Sequence, residues 1–494
     1  MSKKEVNLKK EDTPVHGIKN LIRADWKRFH FGTFVFVFLW LIGAKTSTSF
    51  SQEKTFTLKE ACDFAVKNSY QTQSASINAG IAEKNIKSYI GSGLPQINAE
   101  GKFQNFLDVP TTVIPNFIGP AITGSLIQSG LLPPSAANQP PNPEFLEAKF
   151  GTKYNVSGGI NASQLIFSGT YFVGLEAAKT YSLAAKQGLE KTETEVRESV
   201  AQTYHTILVA KESEKILELS KKNLEKTLFE TNQLYKTGFA EETSAQQLEL
   251  LVSNLTNGIS SARQQIENAF QLLKFQMGIP ATDKILLSDS LGSLINNLPP
   301  ESILSSNADL KNHIDFKLIS TQERLMTLSE RAEKTKFLPS LVGFFSYQQS
   351  ALRNEFNFTK NSEKWFPATL WGLSLQVPVF SGFSRYHNLG KARLELEKTR
   401  ILKTQVEQGL QLQLQTARAD FLTAHNQYLA EKGNVSLAEK IRDKTIIKFN
   451  QGLASSMELT QSENQLLATQ GNYFRSMYQL LNAKTKLEKI IGNK

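Results

Sequence analysis

Two periodicities divide this chain. Short stretches alternate apolar with polar or small residues at period two: Ile97, Ala99, Gly101 and Phe103 stand against Asn98, Glu100, Lys102 and Gln104. Tyr154, Val156, Gly158, Ile160 and Ala162 do the same against Asn155, Ser157, Gly159, Asn161 and Ser163. Further on come Leu341, Gly343, Phe345 and Tyr347, then Trp371, Leu373, Leu375, Val377 and Val379. Each reads as a strand with two unlike faces. Between them run very long segments of helical pattern. From Pro378-Val379-Phe380-Ser381-Gly382 no further proline occurs, and the one obvious break is Asn450 to Ser456. That predicts a helix of roughly 65 residues, near 100 Å at 1.5 Å per residue, followed by a turn and a second long helix.

In chain order the pattern predicts a helix over 57–93 stopped at Leu94-Pro95, then a strand, because the residue before proline leaves the helical region. Residues 107–150 hold eight of the chain's 16 prolines with little helical pattern, and are expected to form a long exposed loop. A strand ends at Phe167-Ser168-Gly169, a helix runs to about Tyr235, Lys236 to Ala240 turn the chain, and a helix from about Ser244 to Met277 closes at Gly278-Ile279-Pro280. Residues 281–312 read as a linker. The order then repeats: a helix from His313 to Phe337, Leu338-Pro339, a strand, a shorter loop over 353–367, a strand, and the two long helices.

The repeat has a register. Leu94-Pro95 and Leu338-Pro339 lie 244 apart, Phe167-Ser168-Gly169 and Phe380-Ser381-Gly382 lie 213 apart, and both Gly238/Gly452 and Gly278/Gly492 lie 214 apart. The 31-residue difference falls in the first loop. Leu459, Leu466, Tyr473, Leu480 and Leu487 recur every seventh residue, and 214 upstream stand Ala245, Val252, Ile259, Ile266 and Leu273. A seven-residue apolar repeat held in both copies is a coiled-coil seam. The expected units are 52–280, the linker 281–312, and 313–494, preceded by a segment of another kind.

That segment, 1–51, begins with Lys3, Lys4, Lys9, Lys10, Lys19, Arg23, Lys27 and Arg28, followed by the apolar run Phe31 to Ala44. A run of about 14 residues is short for a membrane helix and right for a signal-peptide core, with cleavage expected after Ser51 in Ser49-Phe50-Ser51. An uncleaved anchor is the alternative. The leader carries nine Lys/Arg and four Asp/Glu, half of the chain's net +10. The mild remaining excess does not indicate nucleic-acid binding. Cys62 is the only cysteine, so no intrachain disulfide forms, and no lipid-attachment pattern surrounds it.

Four strands cannot close a barrel, which needs about eight. Their faces alternate as transmembrane barrels do between lipid and lumen, and ten residues suffice to cross when tilted. An exported chain with too few strands is therefore expected to pool strands from several copies.

This order resembles the TolC family of outer-membrane efflux proteins over residues 55–492. The most specific parts are Pro378-Val379-Phe380-Ser381-Gly382, the two Leu-Pro stops, and the tips Gly238-Phe239-Ala240 and Gly452-Leu453-Ala454. The resemblance implies an α+β membrane protein: a homotrimer whose 12-stranded transmembrane β-barrel, in the outer membrane of a Gram-negative bacterium, continues into a periplasmic α-helical coiled-coil barrel. It implies an exit duct for drugs, metals or proteins, working with a periplasmic membrane-fusion adaptor and an inner-membrane pump of the RND or ABC type. The long leader, the longer first loop and the short tail after the last helix depart from the pattern.

The resemblance assigns adaptor docking to Tyr235, Gly238, Phe239, Ala240, Phe449, Gly452, Leu453 and Ala454. Glycine lets two long helices reverse beside an exposed apolar residue; alternatively Phe239 and Leu453 only staple their hairpins. Glu458 stands where relatives carry an acid at the closed periplasmic entrance, yet Ser455-Ser456-Met457-Glu458 is also a capping box. Gln461 is neutral where some relatives have a second acid. Pro95, Gly169, Pro339 and Gly382 are expected to mark the helix–strand junctions. His16, His30, His205, His313, His387 and His425 are scattered, so no metal site is expected, and no Gly-rich phosphate loop follows a strand. No cofactor is expected. The rival readings are an adhesive coiled-coil envelope protein, which has no use for two-faced strands, and an enzyme, for which no nucleophile, base or metal cluster stands out.

Overall fold

The computed structural model describes residues 54–140, 143–296 and 309–492. The expected signal peptide, with its alternative as an anchor, and linker residues 297–308 lie outside these.

The first helical stretch is two helices, α1 (Leu58–Asn68) and α2 (Tyr70–Ser92), not the single helix expected over 57–93. Ser69 sits between them in an extended conformation (φ −64°, ψ 144°), and its hydroxyl accepts from the Thr72 amide to start α2. The break has a partner. Gly278, in the left-handed region (φ 69°), closes a later helix hard against the Asn68 carbonyl, where a Cβ would collide with it. A hydroxyl that caps a helix competes with the helix backbone, which is why one serine can interrupt an otherwise helical run.

Before α1, strand β1 (Lys54–Phe56) pairs parallel with β6 (Ile285–Leu287), so the linker region carries a small sheet and a short helix, α6 (Leu291–Asn296). Strand β2 (Gln96–Asn105) follows α2 directly after Pro95. The proline-rich stretch contains more order than its composition suggested: β3 (Thr111–Pro115), α3 (Ile118–Gln128) and β4 (Phe145–Lys149), with β3 and β4 antiparallel. Then come β5 (Tyr154–Phe167), α4 (Gly169–Lys236) and α5 (Glu242–Met277). The second copy is α7 (Ile314–Thr335), β7 (Ser340–Arg353), β8 (Phe366–Gln376), α8 (Ser384–Asn450) and α9 (Ser456–Ile491). Strand β8 stops at Gln376, so Val377 and Val379 lie past its end.

Strands β2, β5, β7 and β8 form one antiparallel sheet in that order. Below it, α4 packs between α2 and α7, and α7 between α4 and α8. Ion pairs lace these neighbours: Lys186–Glu83 at 2.6 Å, Arg331–Glu176 at 3.3 Å and Lys403–Glu323 at 2.9 Å. The first two are largely exposed and worth under about 1 kcal/mol each, setting alignment more than stability, while Lys403–Glu323 is partly buried.

The main core lies where the linker elements meet the middle of the long helices. Tyr204, Ile207, Leu273, Met277, Phe421, Leu480 and Leu487 pack there with Phe56, Ala61 and Ile285. The Tyr204 hydroxyl lies 3.0 Å from both the Phe56 carbonyl and Asp289 Oδ2, and Asp289 Oδ2 also accepts from the Leu58 amide at 2.6 Å. That network knots α1, α4 and the linker. A second core of Leu224, Leu248, Leu251, Leu255 and Leu459 holds the two hairpins, α4–α5 and α8–α9, together toward their tips. The heptad positions face inward: Ala245, Ile259, Ile266, Leu273, Leu459, Leu466, Leu480 and Leu487 are buried, with Val252 and Tyr473 half-buried.

Candidate functional site

Two regions stand out: a sheet that no helix covers, and a pair of exposed helical tips.

In the sheet, Ile97, Ala162, Phe345 and Trp371 stand opposite one another on four successive strands, and Ala99, Ile160, Tyr347 and Thr369 form the next row. This face is apolar, and it is open: Trp371 is 76% exposed, and Ile97, Phe345, Leu373 and Leu375 are exposed with it. The other face is mixed, with Phe344, Phe366 and Leu370 beside a polar ladder. Asn161 donates to Glu100 Oε1 at 2.6 Å and accepts from the Ser346 hydroxyl at 2.6 Å, a ladder across three strands. Both outer strands, β2 and β8, have an unpaired edge. A sheet with one face apolar, one face hydrogen-bonded and both edges open is unstable in water alone. At about 3.3 Å per residue, ten to fourteen residues give strands long enough to cross a tilted hydrocarbon layer. Among the described residues no helix is long and apolar enough to cross a membrane.

At the sheet's far end Phe103, Tyr154 and Phe356 form a triangle with ring centroids 6.0–6.3 Å apart. At the near end the four junction residues differ. Pro95 and Pro339 each stand one residue before a strand. Gly169 is the first residue of α4, where a Cβ would come within 2.9 Å of Thr335 Cβ; only glycine allows that approach to the end of α7. Gly382 has φ 57°, and Phe383 after it has φ 62°, the one non-glycine in that region among the described residues. The second copy therefore enters its long helix two residues later than the Phe-Ser-Gly match implies, at Ser384.

The tips are near-duplicates. After α4, the Gly238 amide donates to the Tyr235 carbonyl at 2.9 Å and the Phe239 amide to Leu234 at 2.8 Å. After α8, Gly452 donates to Phe449 at 2.9 Å and Leu453 to Lys448 at 2.8 Å. Both are Schellman caps, with glycine in the left-handed conformation at φ 82° and 74°. Phe239 is 84% and Leu453 74% exposed, so most of each side chain lies in solvent. Ala240 and Ala454 follow them, Tyr235 is exposed beside Phe239, and Phe449 instead packs on the hairpin core. The Ser456 hydroxyl donates to Gln247 Oε1 at 2.9 Å, linking the start of α9 to α5.

Glu458 is occupied as a cap. Its carboxylate accepts from the Ser455 amide at 2.8 Å, and the Ser455 hydroxyl accepts from the Glu458 amide at 3.2 Å. The equivalent start of α5, at Glu241, has no side-chain cap. Further along α9 is a carboxylate the sequence did not single out: Glu463 is buried, facing Arg442 and Asp443 on α8, and burial raises its pKa while Arg442 opposes that rise. Its adjacency to the Leu459/Leu466 seam was the available signal.

The histidines stay apart. His205 is buried in α4, its Nδ1 3.1 Å from Asn482 Oδ1, and burial brings its pKa down to about 4. His313 caps α7 through Nδ1, and its pKa is lowered by burial. His387 and His425 lie on α8, while His16 and His30 fall outside the described residues. Burial pushes the Cys62 thiol up to about 11. Among the described residues no three His, Cys, Asp or Glu side chains gather to hold a metal.

Among solved structures, the chain is similar to CusC, at 16% identity and TM-score 0.67, over 89% of this chain and 92% of that one; the structures of that protein concern conformational changes in folding and transmembrane channel formation. It is similar to the CmeC outer membrane channel of Campylobacter jejuni (16%, TM-score 0.66, 88% and 85% covered). It is likewise similar to the open state of the MtrE outer membrane channel of Neisseria gonorrhoeae (16%, TM-score 0.66, 88% and 88%). These share the fold. No curated protein sequence matches the chain. Residues 136–278 and 311–493 match the model of a family described as outer membrane efflux protein. That match takes in the tips, α4, β5 and the whole second copy, and the chain belongs to the outer membrane efflux protein family, with the outer membrane as its location.

Proposed function

We propose that three copies of this chain assemble into an efflux duct. Each contributes β2, β5, β7 and β8 to a 12-stranded barrel, with the open edge of β2 joining β8 of the next copy, the apolar face on lipid and the Glu100–Asn161–Ser346 face on the lumen. The long helices continue the duct into the periplasm, where the tips around Phe239 and Leu453 meet a membrane-fusion adaptor. An inner-membrane pump drives export; the duct itself performs no chemistry. The observation that carries this reading is the uncovered, two-faced, two-edged sheet, which finds partners for its face and its edges only in a membrane and in further strands.

Native mass determination on the protein extracted from outer-membrane fractions tests it. A trimer is expected. A monomer recovered from the soluble fraction would overturn the assembly and the barrel together.

A further inference from the structure

The arm between β2 and β5 has no counterpart in the second copy, and its helix lies outside the residues that match the family model. No Asp, Glu, Lys, Arg or His occurs from Val109 to Pro143. The arm is nevertheless built rather than loose. Strands β3 and β4 pair from Thr111↔Lys149 to Pro115↔Phe145, and buried Asn116 at their end donates to the Pro143 carbonyl and accepts from the Gly119 amide, both at 2.8 Å. This presents α3 as a fixed element. None of its residues is buried, and Phe117, Ile118, Ile122 and Leu131 are exposed. One face carries Ile118, Ile122 and Leu126; the adjoining face carries Ala121, Gly124 and Ser125, small enough for a close helix approach.

An exposed apolar surface of this kind calls for a cover. A helix of eleven residues reaches only about 16 Å and cannot span a bilayer. It also lacks the basic flank that interfacial helices use to hold a lipid surface. Its position points elsewhere. The arm leaves the end of β2, an open sheet edge, only a few residues beyond Asn105, which places it at the boundary with a neighbouring copy in the proposed trimer. In a ring of three, each interface sets two different surfaces of the chain against each other, and any charge buried there without an opposite partner is costly. A surface free of charge over the whole arm is what such a meeting requires.

We propose that α3 of each copy packs against the arm of its neighbour, tying the three protomers together at the barrel mouth by a contact separate from the strand edges. The inference rests on the trimer proposed above. The full-length protein in membranes, carrying Ile122→Cys labelled with a benzophenone maleimide, is illuminated, with the unsubstituted chain and its buried Cys62 as background. A covalent chain dimer is expected, and Ser125→Cys, on the adjoining face, should give the same product. Adding Ile122→Asp to Ser125→Cys should lower the yield about tenfold or more. A lipid adduct or unlinked chains in a sample whose native mass is trimeric would overturn the arm contact and leave the trimer standing. A monomeric mass would overturn both.

Discussion

The two tip glycines make a prediction whose size comes from geometry alone. Gly238 and Gly452 hold φ 82° and 74°, and a Cβ built on either meets nothing within 4 Å. Alanine therefore introduces no clash; its whole cost is that of placing an L-residue in the left-handed region, roughly 1 kcal/mol. The Schellman bonds depend on that conformation, so Gly452→Ala should raise the opening equilibrium of the amides at positions 452 and 453 about fivefold. Gly433 supplies the opposite sign. It lies inside α8, also with nothing within 4 Å of its Cβ, and there alanine should stabilise the helix by up to about 1 kcal/mol. Hydrogen exchange on the intact protein, read at peptides covering each site, measures both. Unchanged exchange at the tip in Gly452→Ala, or loosening of α8 in Gly433→Ala, would refute the assignment of the tip to backbone conformation.

Three further outcomes follow from the same structure. Phe239→Asp with Leu453→Asp should abolish export while assembly and thermal stability stay nearly unchanged, because both side chains are mostly in solvent already; a matching loss of stability would mean that they staple the hairpins. Glu458→Ala should cost the start of α9 about 1 kcal/mol, seen as faster exchange at the amides of 455–458, whereas Glu241→Ala at the uncapped start of α5 should change little; equal effects would remove the capping role. His205 has a pKa of about 4 when folded against an ordinary 6.5, so the unfolded chain takes up the proton first. Its share of stability is complete above about 6.5 and is lost as pH falls toward 4. His205→Gln should therefore narrow the difference in thermal midpoint between pH 7.5 and pH 5, and an unchanged difference would place the acid sensitivity on other groups.

The long helices, the four two-faced strands and the tips were legible because each rests on a local rule. Period two, period seven, and glycine before an exposed apolar residue all lie within a few neighbouring positions. What stayed hidden depends on partners distant in sequence. Ser69 reads as an ordinary helical serine until Gly278 is seen docking against Asn68. Strand β1 is three residues long and exists only because β6, some 230 residues later, pairs with it. Helix α3 was masked by the prolines around it, although Pro120 stands in the first turn of that helix, where proline is tolerated. Glu463 carries no motif, and its burial follows from how α8 lies over α9.

The duplication also proves unequal in a way that bears on the tips. Both reversals use the same glycine cap and present an apolar side chain, so the features shared by the two copies are those of display. They differ at the helix that follows: α9 starts on a closed Ser455–Glu458 capping box, while α5 starts at Glu241 with no side chain serving its free amides. Unserved amides at a helix start fray more readily, so the α4–α5 tip is the softer of the two. A partner meeting this chain thus encounters two similar apolar points on supports of different stiffness. Moving the box, by Glu241→Ser with Ser244→Glu, should slow exchange at the α5 start toward that of α9; if export is unaffected, the difference between the tips is an accident of sequence, and if export falls, the softer tip is the one that adapts on docking.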